Sequence, residues 1–314
     1  MSKVYVTGHK SPDTDSIAAA ISYSYLKRQL GMDAVAARAG EPNKETKFAL
    51  DYFKVEAPEL LTSVARKNPD DEKTKVILVD HNESKQCVDG IKDADVLELI
   101  DHHRLGDFET DTPIFILIRP VGCVNTVIWG LYKQNHVQPS KEVAGMMLSA
   151  IISDTALFRS PTCTDEDKQA VKELAEIAGV DYEKYGMDML KAGADISDYS
   201  AEKLAHNDTK EFEAGGKTFS CGQISVMDVE PINAKKADIM KALEATKAEK
   251  NYEASYLMVT NILTEDTYLW FTEGAEAAAE KAFGKKAENG MVYLPKVMSR
   301  KKQVAPFLLK VYGE

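Results

Sequence analysis

Val96-Leu97-Glu98-Leu99-Ile100-Asp101-His102-His103 joins a compact apolar run directly to one acid and two imidazoles. The run is short enough for a strand and apolar on successive residues, as expected of a strand covered on both faces. The same juxtaposition occurs twice upstream. Val76–Val79 (VILV) runs into Asp80-His81-Asn82, and Lys3–Thr7 (KVYVT) runs through Gly8 into His9-Lys10-Ser11-Pro12-Asp13-Thr14-Asp15. In open α/β sheets ligands bind outside the carboxyl ends of the strands. Chemistry-bearing residues at three such ends therefore set both a fold and a site.

Outward from these runs, strand and helix signals alternate. Ser16–Leu30 carries Ile17, Ala20, Ile21, Leu26 and Leu30 at helical spacing and stops at Gly31. Asp33–Ala39 reads as a second strand, and Asn43 caps a helix through Phe53. Ile114–Ile118 (IFILI) is another buried run, followed by helices at Thr126–Gln134 and Lys141–Ile152, with Asp154 just after the latter. A βαβ series of this kind predicts a parallel sheet with helices on both faces. Near Lys191–Ser197 (KAGADIS) the pattern changes. Strands at Thr218–Val226, Ala254–Ile262 and Thr267–Phe271, with helices at Ala234–Lys250 and Ala275–Phe283, predict a smaller α+β domain. The expected division is 1–191, a linker at 192–196, and 197–314.

Bulk properties fit this reading. A chain of 314 residues exceeds what one core usually serves. The net charge of −11 argues against general binding to nucleic-acid backbones or anionic membranes. It leaves an anionic substrate open, because a bound metal or local basic cluster reverses the field inside a cleft. The four cysteines, Cys87, Cys123, Cys163 and Cys221, form no C-x-x-C pair, which fits reduced thiols better than a disulfide framework or zinc site. No segment approaches the roughly 20 apolar residues that span a bilayer, so the cytoplasm is the expected compartment.

Taken singly, the motif residues are ordinary. Pro12-Asp13-Thr14-Asp15-Ser16 is a good turn feeding a helix cap, and Asp80 or Asp101 alone is a good strand-end cap. Arg300-Lys301-Lys302 alone reads as a solvated basic turn. Their convergence changes the reading. Four of the six histidines fall in the three strand-end clusters. Carboxylates mixed with imidazoles suit Mn²⁺, Fe²⁺ or Co²⁺ better than Mg²⁺, and no thiolate is expected near these clusters, which disfavours structural zinc. The donors exceed what one ion needs. Two ions sharing a carboxylate, about 3.5–4 Å apart as in phosphoryl-transfer enzymes, would use them all.

His9-x3-Asp13-x-Asp15, Asp80-His81-Asn82, Asp101-His102-His103 and Asp154 resemble, in order and spacing, the DHH phosphoesterase superfamily. Within it, Ser299-Arg300-Lys301-Lys302-Gln303-Val304-x-Pro306 resembles the motif of family II inorganic pyrophosphatases. The resemblance covers the whole chain, with no inserted regulatory nucleotide-binding module. It implies that His9, Asp13 and Asp80 hold one Mn²⁺. It implies also that Asp15, Asp80, His102 and Asp154 hold a second, with Asp80 bridging. His103 is then expected to face the substrate, and Lys210, Arg300 and Lys301 to bind phosphate from the second domain. Co²⁺ is the expected substitute metal, and Mg²⁺ is expected to arrive with pyrophosphate.

The expected reaction is hydrolysis of pyrophosphate to two phosphates by a hydroxide bridging the metal pair, in a cleft closed by the carboxyl-terminal domain. A cytoplasmic homodimer follows from the resemblance, with neither nucleic acid nor membrane as partner. His81 and Asn82 are expected to support the ligands, and His136 and His206 to have surface or packing roles. Asn125 reads as a helix N-cap or a phosphate contact. A phosphodiesterase of the same superfamily would carry a glycine-rich nucleotide loop, which this sequence lacks. A binding protein would hold the ligand without releasing phosphate.

Overall fold

A computed structural model describes residues 3–314. The chain divides between Gly193 and Ala194 into two compact units. In the first, β1 (Val4–Thr7), β2 (Ala34–Arg38), β3 (Glu59–Leu60), β4 (Lys75–Val79), β5 (Asp95–Asp101) and β6 (Phe115–Ile118) form one sheet in the order β3-β2-β1-β4-β5-β6. Every neighbouring pair is parallel. The chain winds outward from β1 to β3, returns to lay β4 beside β1, and winds outward again to β6. The order therefore reverses between β1 and β4, and connections leaving those two strands diverge to make a crevice.

The helices of this unit are α1 (Thr14–Gln29), α2 (Lys44–Phe53), α3 (Val124–Gln134), α4 (Lys141–Asp154), α5 (Asp165–Ala178) and α6 (Tyr182–Gly193). Strand side chains alternate between two clusters. Val4, Val6, Ile77, Val79 and Ile100 pack with α1, α3 and α4. Val76, Leu78 and Leu99 pack on the opposite face with Val64, Cys87, Val88 and Ile91. That second face is covered by the segments flanking β4, including a one-turn 3₁₀ helix at Ile91–Asp93. Val76, Ile77, Leu78 and Val79 are all fully buried, each worth about 1.5–3 kcal/mol of transfer free energy.

Several boundaries follow local chemistry. Asp13 caps α1 by accepting from the Ser16 amide at 2.9 Å, so α1 starts at Thr14, two residues before the apolar spacing begins. Asn43 caps α2 as expected, accepting from the Thr46 amide at 2.8 Å. Asp154 is the last residue of α4 rather than the residue beyond it. The small-residue stretch at 191–197 begins inside α6, which continues to Gly193.

The second unit carries a mixed sheet of β7 (Lys210–Ala214), β8 (Lys217–Val226), β9 (Ala254–Asn261), β10 (Asp266–Phe271) and β11 (Met291–Leu294), in the order β11-β10-β9-β8-β7. Only β8 and β9 pair in parallel. Its helices are α7 (Ala201–Ala205), α8 (Glu230–Asn233), α9 (Lys236–Lys250), α10 (Glu276–Phe283) and α11 (Ala305–Gly313). Phe219, Cys221, Tyr256 and Met258 pack on one face with α10 and α11. Ile224, Val226, Leu257 and Val259 pack on the other with α7 and α9. Just before α11, Arg300–Val304 forms a π-helical turn, an arrangement found often at functional sites.

Candidate metal centre and basic cluster

The crevice at the β1/β4 reversal is where the acids and imidazoles meet. Asp80, immediately after β4, adopts a left-handed backbone with φ of +63°, while its amide still donates to Ile100 O at 2.9 Å. Aspartate tolerates this conformation better than most residues. Its side chain is 2% exposed, and Oδ2 has no hydrogen-bond partner among the described residues. An orphaned carboxylate oxygen at such depth is costly unless a cation completes it.

The two oxygens of Asp80 face two different imidazoles. Oδ2 lies 3.4 Å from His9 Nε2, which is itself 3.7 Å from Asp13 Oδ2. Oδ1 lies 3.4 Å from His102 Nε2, which is 3.7 Å from Asp15 Oδ2 and 3.8 Å from Asp154 Oδ2. Metal–ligand bonds of roughly 2.0–2.2 Å place neighbouring donor atoms about 3 Å apart or slightly more. The observed separations therefore suit donors arranged around ions better than donors bonded to one another. His9, Asp13 and Asp80 form one group of potential ligands, Asp15, Cys123 and Asp154 a second, and Asp80, Asp101, His102 and His103 a third. Mixed carboxylate and imidazole donors fit manganese.

Each donor is held by the fold. Gly8 lets the β1–α1 connection close over the helix start: a Cβ there would lie 2.1 Å from Ser16 Oγ, which accepts from the His9 amide. His102 Nδ1 donates to Val121 O at 3.1 Å, leaving Nε2 for the carboxylates. Asp101, fully buried, collects the His102 and His103 amides on Oδ1 at 2.7 and 3.1 Å and takes Asn82 Nδ2 on Oδ2. Its Oδ1 also receives His103 Nδ1 at 2.9 Å, so that half-buried ring presents Nε2 as its remaining polar atom. His81 is neutral: burial pushes its pKa down to about 4, and Nδ1 donates to Val79 O.

Asp15 rests on the start of α3. Its Oδ2 accepts from the Val124 amide at 2.8 Å, and Oδ1 accepts from Asn125 Nδ2 at 2.6 Å and Cys123 Sγ at 2.9 Å. The sequence reading of Asn125 as a helix N-cap does not hold. Asn125 lies inside α3 and clamps Asp15, while Cys123 occupies the cap position without a side-chain cap. Cys123 therefore brings sulfur into the cluster, contrary to the expectation that none is near. Burial raises its pKa well above the usual thiol range, so it serves as a donor to Asp15 rather than a thiolate. Nothing local in the sequence ties Asp15 to residues over a hundred positions away.

The electrostatics record a surplus of acid. For His9, burial opposes the charged form, but the hydrogen bonds and charges of Asp13 and Asp80 outweigh it and raise the pKa to about 10. His102 is likewise raised to about 9, with Asp80 and Asp15 overcoming burial. Asp15 is raised to about 6 by burial and then by the charge of Asp80. Asp154 is raised well above the carboxylate range, first by burial and then by Asp15. Asp80 is held well below it, because His102 and His9 outweigh its burial. Protons here occupy places that cations would take.

The basic candidates lie in the second unit. Lys210 is exposed at the start of edge strand β7, opposite Cys221 of β8. Lys301 is exposed on the π-helical turn, whereas Arg300 beside it is 7% exposed. Arg300 is thus no solvated turn residue. Its Nη1 donates to Cys221 O at 3.0 Å and to Asp208 O, and Nη2 donates to both carboxylate oxygens of Asp208 at 3.0 Å. Gln303 fixes the turn, its Oε1 accepting from the Met298 and Ser299 amides at 3.0 Å. His206 is exposed and contacts Thr246, in line with a surface role, and His136 is also exposed.

Comparison with known proteins follows the same two-unit division. Residues 3–151 match the DHH family, N-terminal domain, and residues 187–311 match the DHHA2 domain. A Bacillus subtilis manganese-dependent inorganic pyrophosphatase is 46% identical, covering all of both chains. An Exiguobacterium protein named "Probable manganese-dependent inorganic pyrophosphatase" is 49% identical over 98% of each chain. A Methanococcus jannaschii crystal structure assigned to the family II inorganic pyrophosphatases is 40% identical, with a TM-score of 0.86 over 99% of this chain and 100% of its own.

Proposed function

This chain belongs to the manganese-dependent, family II inorganic pyrophosphatases, and from that premise we propose how its residues divide the hydrolysis of pyrophosphate to two phosphates. His9, Asp13 and Asp80 would hold one Mn²⁺. Asp15, Asp80, His102 and Asp154 would hold a second, Asp80 serving both. The observation that carries this reading is Asp80 itself, whose two oxygens lie 3.4 Å from two different histidines. Bound manganese supplies Lewis acidity, bringing the pKa of water toward neutrality and neutralising phosphoryl oxygens.

The remaining work belongs to side chains that touch substrate. Pyrophosphate spreads its charge over peripheral oxygens, so catalysis is mainly positioning and charge stabilisation. His103 directs Nδ1 to Asp101, which leaves Nε2 to face the substrate phosphate. Arg300 offers a planar fork to phosphate oxygens, and Lys210 and Lys301 add point charges. The proposed metal ligands belong to the first unit, and the basic residues proposed for phosphate belong to the second. Co²⁺ substitutes for Mn²⁺, and Mg²⁺ accompanies the substrate.

The family resemblance supports a cytoplasmic homodimer, and the four cysteines are free thiols, as suits a reducing compartment. No helix among the described residues is long and apolar enough to cross a membrane. The test is phosphate release by chelator-stripped protein, with and without added Mn²⁺, alongside a dinucleotide control. Activity restored by Mn²⁺ on pyrophosphate alone is expected. Turnover of the dinucleotide at a comparable rate would contradict the assignment of substrate.

A further inference from the structure

Arg300 is the only candidate phosphate ligand that is buried, and its guanidinium is already engaged. From within, Cys221 O and Asp208 O take Nη1. From the solvent side, the carboxylate of Asp208 takes Nη2 with both oxygens at 3.0 Å. The side chain of Arg300 is 8% exposed and that of Asp208 55% exposed, so an arriving anion meets the carboxylate before the guanidinium. A carboxylate and a phosphate are both charge-assisted acceptors for arginine, and the Nη2 hydrogens cannot serve both at once.

We infer that Asp208 is an internal competitor for the phosphate subsite: its carboxylate occupies the Nη2 edge of Arg300 and must swing away before that edge can bind phosphate. The proposal rests on the reading that Arg300 binds substrate phosphate. Asp208 acts through Arg300 and is a positioning residue that sets affinity, without touching the reacting atoms.

The local backbone suits a displaceable carboxylate. Asp208 lies in the turn between α7 and β7, two residues from Lys210, with φ of +40°. The turn borders an open surface depression of about 460 Å³, lined also by Ser200, Glu202, Lys203, His206 and Asn207. Cys221 O stays on Nη1 when the carboxylate leaves, so Arg300 keeps an anchor while its other edge is freed. The apparent affinity for phosphate is then reduced by the fraction of molecules in which the edge is blocked.

The test uses the full-length manganese-loaded enzyme. Steady-state KM and kcat for pyrophosphate, and inhibition by inorganic phosphate, are compared among wild type, Asp208→Asn and Arg300→Ala. Asparagine keeps the shape and tolerates the positive φ while removing the charge. Asp208→Gly, equally compatible with that backbone, provides a second variant if the first folds poorly. The expected result is a fall of roughly threefold to tenfold in both KM and the phosphate inhibition constant for the Asp208 variants. Unchanged or raised values in those variants, with Arg300→Ala still impaired, would overturn the competitor and leave the phosphate role of Arg300 standing. An Arg300→Ala enzyme indistinguishable from wild type would overturn both.

Discussion

The two units prepare their charges in opposite ways. In the first, donors for a cation are gathered at long range: Asp80 Oδ2 is buried without a hydrogen bond, and His9 and His102 stand 3.4 Å from its two oxygens. Buried groups fix them from behind, through Asn125 on Asp15, Asp101 on the His102 and His103 amides, and Val121 O on His102. In the second unit, Lys210 and Lys301 are exposed, and buried Arg300 is neutralised by Asp208. On the proposed roles, the difference teaches that the cation site is built in advance, whereas the anion site requires Asp208 to leave Arg300. Preorganised donors favour a metal that stays bound, and a satisfied arginine favours a product that leaves.

The contrast breaks most readily at Asp80. Asp80→Asn keeps the shape but removes the shared charge, and kcat at saturating Mn²⁺ is expected to fall by about three orders of magnitude or more. A fall of less than tenfold would mean that the two donor groups do not depend on a common carboxylate.

The pH dependence of loading comes next. With pKa values raised to about 10 and 9, His9 and His102 are charged in the metal-free protein at neutral pH. Coordination needs neutral imidazole, so loading must expel these protons. Apparent Mn²⁺ affinity should therefore rise with pH below about 9, by roughly tenfold per pH unit for each proton released. Calorimetry in buffers of different ionisation enthalpy counts the protons. An affinity independent of pH between 6 and 8 would show that the donors are already deprotonated.

Asn125→Ala sharpens the claim that the first unit is preorganised. It removes the 2.6 Å donor to Asp15, and loss of such a supporting contact typically weakens metal affinity about 10–100-fold. A manganese binding isotherm separates this from a general loss of fold, because the His9 and Asp13 donors are untouched. Lys210→Ala should do least: a rise in KM of severalfold with little change in kcat, as expected for one exposed point charge. A collapse of kcat instead would place Lys210 against the reacting phosphorus and weaken the contrast.

Much of the first unit was legible because its signals are local. Each of β1, β4 and β5 is a short apolar run followed within a few residues by its ligands, and Asn43 announces α2. What escaped notice depends on distant pairs. The clamp of Cys123 and Asn125 on Asp15 spans over a hundred residues, and the pairing of Arg300 with Asp208 spans 92. Asparagine before an apolar run usually caps a helix, whereas Asn125 lies in the first turn of α3 and its side chain donates to Asp15. Edge strand β7, Lys-Glu-Phe-Glu-Ala, buries too little to show a strand pattern. The basic turn at Arg300 looked solvated because nothing nearby in sequence supplies its counter-charge.

The central claim is that one carboxylate joins two manganese ions. Its most direct test is titration of stripped protein with Mn²⁺, followed by metal analysis and by electron paramagnetic resonance. Two ions per chain are predicted, the second producing a spin-coupled spectrum that Asp80→Asn abolishes. One ion per chain at saturation, with the spectrum of isolated Mn²⁺, would contradict the claim.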